Sequence, residues 1–266
     1  MEKQHTLSKI INKVPEITLY FWIIKILCTT VGETAADYLN ATLGFGLTGT
    51  TYVMVTLLII TLFFQFWSKK YVPGIYWLAV VLISVVGTLI TDNLTDNFGI
   101  SLQSTTTIFS IALFAIFSIW YAIEKTLSMH TIHSFRREVF YWLAILFTFA
   151  LGTAAGDLVA ETFQLGYLVS AMIFTGIIAV IAFVHLRFEL HSVFSFWTAY
   201  VLTRPLGASM GDYLSQAHHD GGLGLGTVST SAIFLIAILV TVTYLTLTKK
   251  DVTEIVAKPT LADKQM

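Results

Sequence analysis

The chain of 266 residues is 56% hydrophobic and only 12% charged, with a formal net charge of −1 and a single cysteine, Cys28. Soluble domains carry about 25% charged residues, so this composition, at a mean hydropathy of +0.77, cannot coat a soluble globule. It also excludes a disulfide-stapled secreted domain, a disordered chain and, with no basic patch beyond short clusters, a nucleic-acid binder.

In chain order, a polar, lysine-bearing arm covers residues 1–16. Apolar stretches able to cross about 30 Å of hydrocarbon then run near Ile17–Leu39, Leu47–Trp67, Ile75–Leu94, Ser101–Ile123, Val139–Ala160, Leu165–Leu186, Val193–Leu214 and Leu225–Leu247. The expected fold is an all-α membrane protein with eight transmembrane helices. A first half covers 17–124, a cytoplasmic linker 125–138, a second half 139–250 and a charged cytoplasmic tail 251–266. The first stretch is too long for a cleaved signal and contains Lys25, Glu33 and Asp37, so it is expected to stay in the mature chain.

Of the 15 basic residues, 13 fall in the arm, the tail and alternate loops: Lys3, Lys9, Lys13, Lys69, Lys70, Lys125, Arg136, Arg137, Arg187, Lys249, Lys250, Lys258 and Lys264. Lys25 and Arg204 lie within spans, and the remaining loops carry none. Basic residues mark cytoplasmic loops, so both termini are expected in the cytoplasm of a bacterial inner membrane. The six tryptophans fall at the same ends of the spans, where an indole serves as an interfacial anchor.

The odd-numbered spans repeat one pattern. Phe21-Trp22 leads to Gly32 and Asp37, Tyr76-Trp77 to Gly87 and Asp92, Tyr141-Trp142 to Gly152 and Asp157, and Phe196-Trp197 to Gly207 and Asp212. The even-numbered spans align too: Gly46, Ser101, Gly166 and Gly226 each precede, by four residues, a hydroxyl at Thr50, Thr105, Ser170 or Thr230. The fourth repeat carries an insertion near Ala217–Gly221. Each repeat holds two spans, so all four enter the membrane in the same sense, as in transporters with parallel halves.

Carried on this four-fold motif, the sequence resembles the bacterial membrane-protein family of four tandem two-helix repeats of unknown function, over about Phe21–Lys250. The resemblance implies the fold and says little about activity.

The residues themselves say more. Small-xxx-small spacing before each aspartate (Gly32/Ala36, Gly87/Thr91, Gly152/Gly156, Gly207/Gly211) permits close helix packing in lipid. A carboxylate within a span costs about 2.5–3.5 kcal/mol even on a lenient scale. Asp37, Asp92, Asp157 and Asp212 sit near helix C-termini, where the dipole disfavours negative charge. Glu33, Asp96 and Glu161 lie one turn from them, with Gln216 in the fourth repeat. These seven acids form a candidate site for a hard cation. Alternatively, the aspartates tie helices together by accepting from Thr50, Thr105, Ser170 and Thr230. Lys25 and Arg204 break the repeat symmetry. Each is eight residues before an acid, Glu33 or Asp212, and a charge within a span is expected to pair. Pro205 follows Arg204 and can kink its helix. A metal-capturing role for His218-His219-Asp220 in the insertion competes with a plain glycine-rich loop.

No Walker A, HExxH or dinucleotide-binding context is present, and Cys28 reads as packing. The expected function is a secondary transporter of a hard divalent cation such as manganese, with no catalytic residue and no tightly bound cofactor. A cation channel, a paired-carboxylate intramembrane enzyme and a non-transporting scaffold or sensor with structural aspartates are the competing readings. The expected partners are the lipid bilayer and a small cation substrate. The orientation is checked by cysteine labelling: Thr162→Cys is expected to react from outside and Ser68→Cys is not; the reverse pattern overturns the assignment.

Overall fold

In the computed structural model, residues 12–252 are described. All regular elements among them are helical: α1 (Leu19–Asp37), α2 (Gly46–Trp67), α3 (Pro73–Asp92), α4 (Leu102–Glu124), α5 (Phe135–Asp157), α6 (Tyr167–Phe188), α7 (Ser192–Ser215) and α8 (Thr227–Thr248), with short π and 3-10 turns between them. Seven of these helices are long and apolar enough to cross a membrane. α7 is as long but carries Arg204, Pro205 and Asp212, and it lies inside the bundle.

Helix starts follow from local chemistry. Thr18 and Ser134 accept from Phe21 and Arg137 amides at 3.4 Å, and Pro73 opens α3 without wasting an amide. The position shared by Ser101, Gly166 and Gly226 is the N-cap of α4, α6 and α8. Ser101 caps with its side chain, whereas Gly166 and Gly226 sit at φ 77° and 76°.

The odd-numbered helices form an inner ring in which α1 packs on α3, α3 on α5, α5 on α7 and α7 on α1. Each even-numbered helix lies outside, against the inner helix of the next repeat: α2 on α3, α4 on α5, α6 on α7 and α8 back on α1. The two sequence halves therefore interlock rather than form two bodies. The outer helices bury one narrow stripe. In α2 it is Thr50, Met54, Leu58, Thr61 and Gln65, and in α4 Thr105, Phe109, Leu113, Ile116 and Trp120. That is heptad spacing, which keeps one seam on a partner helix. Their other faces expose residues such as Tyr52, Phe63, Phe114 and Leu186, as a helix bathed in lipid does.

Two rungs close the ring in the same rotational sense. At the tryptophan end, the aromatic of each repeat meets the tryptophan of the next: Phe21–Trp77 at 5.7 Å between centroids, Tyr76–Trp142 at 5.4 Å, Tyr141–Trp197 at 6.2 Å and Phe196–Trp22 at 5.7 Å. Trp77, Trp120, Trp142 and Trp197 are thereby buried, and only Trp67 stands well out, at 75% exposure. This corrects the reading of all six tryptophans as interfacial anchors, because five of them have aromatic partners inside the bundle. In the middle rung, a Cβ on Gly32 would overlap Ser84, on Gly87 Phe149, on Gly152 Arg204, and on Gly207 Thr29. Each glycine therefore faces the same aligned position of the following repeat, and the fourth faces the first.

The tryptophan end is tied shut. Lys13 Nζ donates to Glu138 Oε2 at 2.7 Å and to the Phe66 carbonyl at 3.0 Å, while Gln65 Nε2 reaches Glu138 Oε1 at 3.0 Å. Tyr71 donates its hydroxyl to Asp251 at 2.6 Å. Burial, and then this carboxylate, hold the Tyr71 phenol above its usual range. Asp251, read from sequence as the start of a charged tail, is thus buried in the fold. Residues 253–266 of the tail and Lys3 and Lys9 of the arm lie outside the described residues.

Gly152→Ala places a methyl group on the Arg204 stem and is expected to lose about 1–3 kcal/mol to overpacking. Gly176→Ala, where α6 has open space, is expected to stay within about 1 kcal/mol of the parent. Thermal unfolding of the purified variants measures both; equal losses would remove the inner-ring contact as the reason the repeat keeps its glycine.

Candidate acidic vestibule

The repeat brings the aspartates to one end of the ring. α1, α3 and α5 run to Asp37, Asp92 and Asp157, and each continues directly into a π-helical turn, Tyr38–Thr42, Asn93–Asn97 and Leu158–Thr162. In each turn an amide bonds five residues back at 3.0 Å: Leu43 to Tyr38, Phe98 to Asn93 and Phe163 to Leu158. A π turn widens the helix by one residue and recurs at functional sites. The carboxylates therefore sit at an α-to-π junction, not at a helix C-terminus, which corrects the dipole argument made from sequence. α7 lacks the π turn. It runs on to Ser215, and the inserted segment folds back so that Leu223 and Leu225 amides bond the Tyr213 and Leu214 carbonyls at 2.7 and 3.0 Å.

Between these ends lies a cavity of about 180 Å³. Its wall holds Glu33, Asp37, Asp92, Asp157 and Asp212, with Asp96, Glu161, Gln216 and Tyr167 also among its lining residues. All seven acids selected from the sequence line this one space, and no basic residue does. Asp96 and Glu161 are exposed, and their carboxylates accept from Thr95 at 3.0 Å and Tyr167 at 3.2 Å. Asp212 is only 6% exposed, and among the described residues its carboxylate has no hydrogen bond or ion pair. Among those residues no three acids, histidines or cysteines stand close enough to hold one metal ion directly.

Beneath the cavity, behind its Glu33 wall, lie the asymmetric residues. Arg204 is fully buried. Its Nη2 donates to Glu33 Oε2 at 3.0 Å, to Thr153 Oγ1 at 2.7 Å and to Thr88 Oγ1, and its Nη1 donates to the Thr29 carbonyl at 3.2 Å. One side chain of α7 thus grips α1, α3 and α5. Lys25, also fully buried, donates to Thr203 Oγ1 at 2.6 Å and lies 4.0 Å from the Tyr200 ring centroid. Among the described residues it has no carboxylate partner.

Three sequence expectations change here. Arg204 pairs with Glu33 on the neighbouring helix α1, not with Asp212 on its own helix. Lys25 does not pair with Glu33, because Arg204 already holds that carboxylate. The aspartates do not bond the outer hydroxyls: Thr105 and Thr230 bond the carbonyls of Ser101 and Gly226 in their own repeats, Ser170 bonds Ser209 at 2.9 Å, and Thr50 has no partner. Those hydroxyls face the flanks of inner helices. His218 bonds the Gly222 carbonyl at 3.0 Å and His219 is exposed, so the insertion folds as a glycine-rich loop.

Sequence reasoning missed Thr88 and Thr153, which hold the guanidinium. The signal was present: both occupy the position of Glu33, one residue after the repeat glycine. It also missed Glu138 and Gln65, whose partners come from distant segments that no spacing reveals.

Asp212→Asn keeps the side-chain shape and removes a buried, unpartnered charge from among like charges. In chelator at neutral pH it is expected to raise the melting temperature by about 2–4 °C, the equivalent of about 1 kcal/mol in a chain of this size. A lower melting temperature would make the carboxylate a structural support.

The family described as Repeat of Unknown Function (DUF347) matches the chain four times, at residues 20–71, 75–126, 140–190 and 195–251. No match is found among curated proteins or among solved structures.

Proposed function

The chain belongs to the DUF347 repeat family, and we propose that it is a secondary transporter for a small hard cation, a divalent metal such as manganese, moved in exchange for protons. The observation that carries this reading is the single cavity that gathers one aspartate from every repeat, with Glu33 at its base and no basic residue in its wall. Carboxylate and amide oxygens suit hard ions over thiophilic ones. At about 30 Å³ per water, the cavity has room for on the order of six waters. A cation that keeps part of its hydration shell fits that space, which accords with the absence of a tight ligand triad among the described residues. Protons and metal compete for the same carboxylate oxygens, and that competition supplies the coupling.

The cation channel is the weaker reading. Below the acids, Arg204 and Lys25 stand on the ring. Two buried cationic side chains in the path oppose a continuous cation pore. In the proposed orientation the vestibule faces outward from a bacterial inner membrane. The tied tryptophan end, with both termini, faces the cytoplasm, consistent with the distribution of lysine and arginine.

Reconstituted protein tests the reading. Manganese uptake into proteoliposomes under an imposed pH gradient is expected for the parent and to fall to the level of empty vesicles when Asp37, Asp92, Asp157 and Asp212 are all changed to asparagine. If the quadruple variant moves the ion as fast as the parent, the carboxylates are structural and the scaffold reading replaces transport.

A further inference from the structure

We propose that Arg204 is a tethered cation that competes with the vestibule's cargo for Glu33, so that filling the cavity frees the guanidinium and emptying it draws the guanidinium back. This rests on the cation-transport reading and assigns the coupling within that same site. The geometry points to it because Glu33 belongs to two places at once. Its carboxylate lines the cavity, and the same Oε2 accepts from Arg204 Nη2 at 3.0 Å and from Thr88 Oγ1 at 3.3 Å. Above it, Asp212 is nearly buried and unpartnered, so the cavity offers a cation negative charge that the fold does not itself neutralise. Among the described residues, Glu33 is the one acid of that wall already paired with a cation of the protein.

Arg204 has somewhere to go. Its Nε is buried without a partner, and its guanidinium carbon lies 5.6 Å from the centroid of the Phe149 ring, on the side away from the acids where Lys25 also sits over that ring at 5.2 Å. A guanidinium released from Glu33 keeps Thr153, the Thr29 carbonyl and the Phe149 face over which it already lies. Pro205 follows directly and lacks an amide, so the Val201 carbonyl has lost its helical donor and α7 has local slack beside the arginine. A cation in the vestibule that draws Glu33 upward thus opens the floor from above. When the cation leaves, the uncompensated Glu33 and Arg204 attract one another again. A carrier built this way does not sit with both its floor carboxylate and its arginine unpaired, which suppresses a slip without cargo.

Manganese binding by the purified full-length chain in lipid nanodiscs, read from the loss of the free-ion electron paramagnetic resonance signal, tests this. Competition between two ligands for one group is a negative coupling, typically about 5–150-fold. Arg204→Gln is therefore expected to tighten manganese binding at least about five-fold. Adding Glu33→Gln to Arg204→Gln is expected to cancel that gain, because the carboxylate freed by loss of the guanidinium is then gone as well. Should Arg204→Gln fail to fold, Thr88→Ala with Thr153→Ala loosens the guanidinium while keeping both charges, and a smaller tightening in the same direction is expected. Glu33→Gln with Arg204→Gln, which removes the pair whole, serves as the folded reference. Unchanged or weaker binding in Arg204→Gln, or in the threonine pair, with the parent binding normally, overturns the competition and leaves the transport reading standing. No manganese binding by any of these proteins overturns the cation site and the competition together.

Discussion

Helices in lipid gain nothing from burying apolar surface against each other, since the solvent is apolar too. What the inner ring gains instead is contact, and it is close contact only because one member of each touching pair lacks a Cβ. Gly32, Gly87, Gly152 and Gly207 each face the flank of the next inner helix, at Ser84, Phe149, Arg204 and Thr29. The spacing set there determines the rest. It brings Arg204 within reach of hydroxyls on two other helices, presses the aromatic pairs together one level away, and places the four aspartates around a common space at the far end. The outer helices then fill the grooves between repeats with one heptad stripe each and leave their remaining surface to lipid.

The ring also explains how polar groups are tolerated at such depth. A lone buried arginine costs several kcal/mol, and Arg204 meets that cost with one carboxylate, two hydroxyls and a carbonyl drawn from three helices. Lys25 has a weaker set, a single hydroxyl and two aromatic faces. The two cations stand on the same side of the acids, so the inner bundle is polarised along its axis: acids at one end, cations at its middle, aromatics and the Lys13–Glu138 tie at the other.

Much of this was legible in the repeat. Four copies of one motif fix which residues occupy one level, and that alone placed all seven acids together. What the repeat does not state is which neighbour a side chain turns to. Residues eight apart on a helix share a face, so Lys25 with Glu33 and Arg204 with Asp212 were reasonable pairs. In a ring, however, the shared face looks inward, and for Arg204 the shorter distance runs to Glu33 on the adjoining helix. The tryptophans failed for a related reason. Their position along the helix is that of an interfacial anchor, but the neighbouring repeat supplies an aromatic wall that no hydropathy profile records. The π turns after Asp37, Asp92 and Asp157 carry no residue signature that distinguishes them from an ordinary helix end.

A ring of four repeats has four equivalent positions at each level but only one axis, and that fact accounts for where the symmetry breaks. One guanidinium fills the space at the Thr29, Ser84, Phe149 and Arg204 level, where two of the other copies are small hydroxyl residues and the third, Phe149, offers it a ring face. One residue after the repeat glycine, Glu33, Thr88 and Thr153 are the partners Arg204 needs, while the fourth copy, on its own helix, is Ala208. The aspartate level lies beyond the guanidinium, where space opens into the cavity, and there all four copies persist. The residues that differ between repeats are thus those meeting at the axis, and the residues that agree are those spread around it.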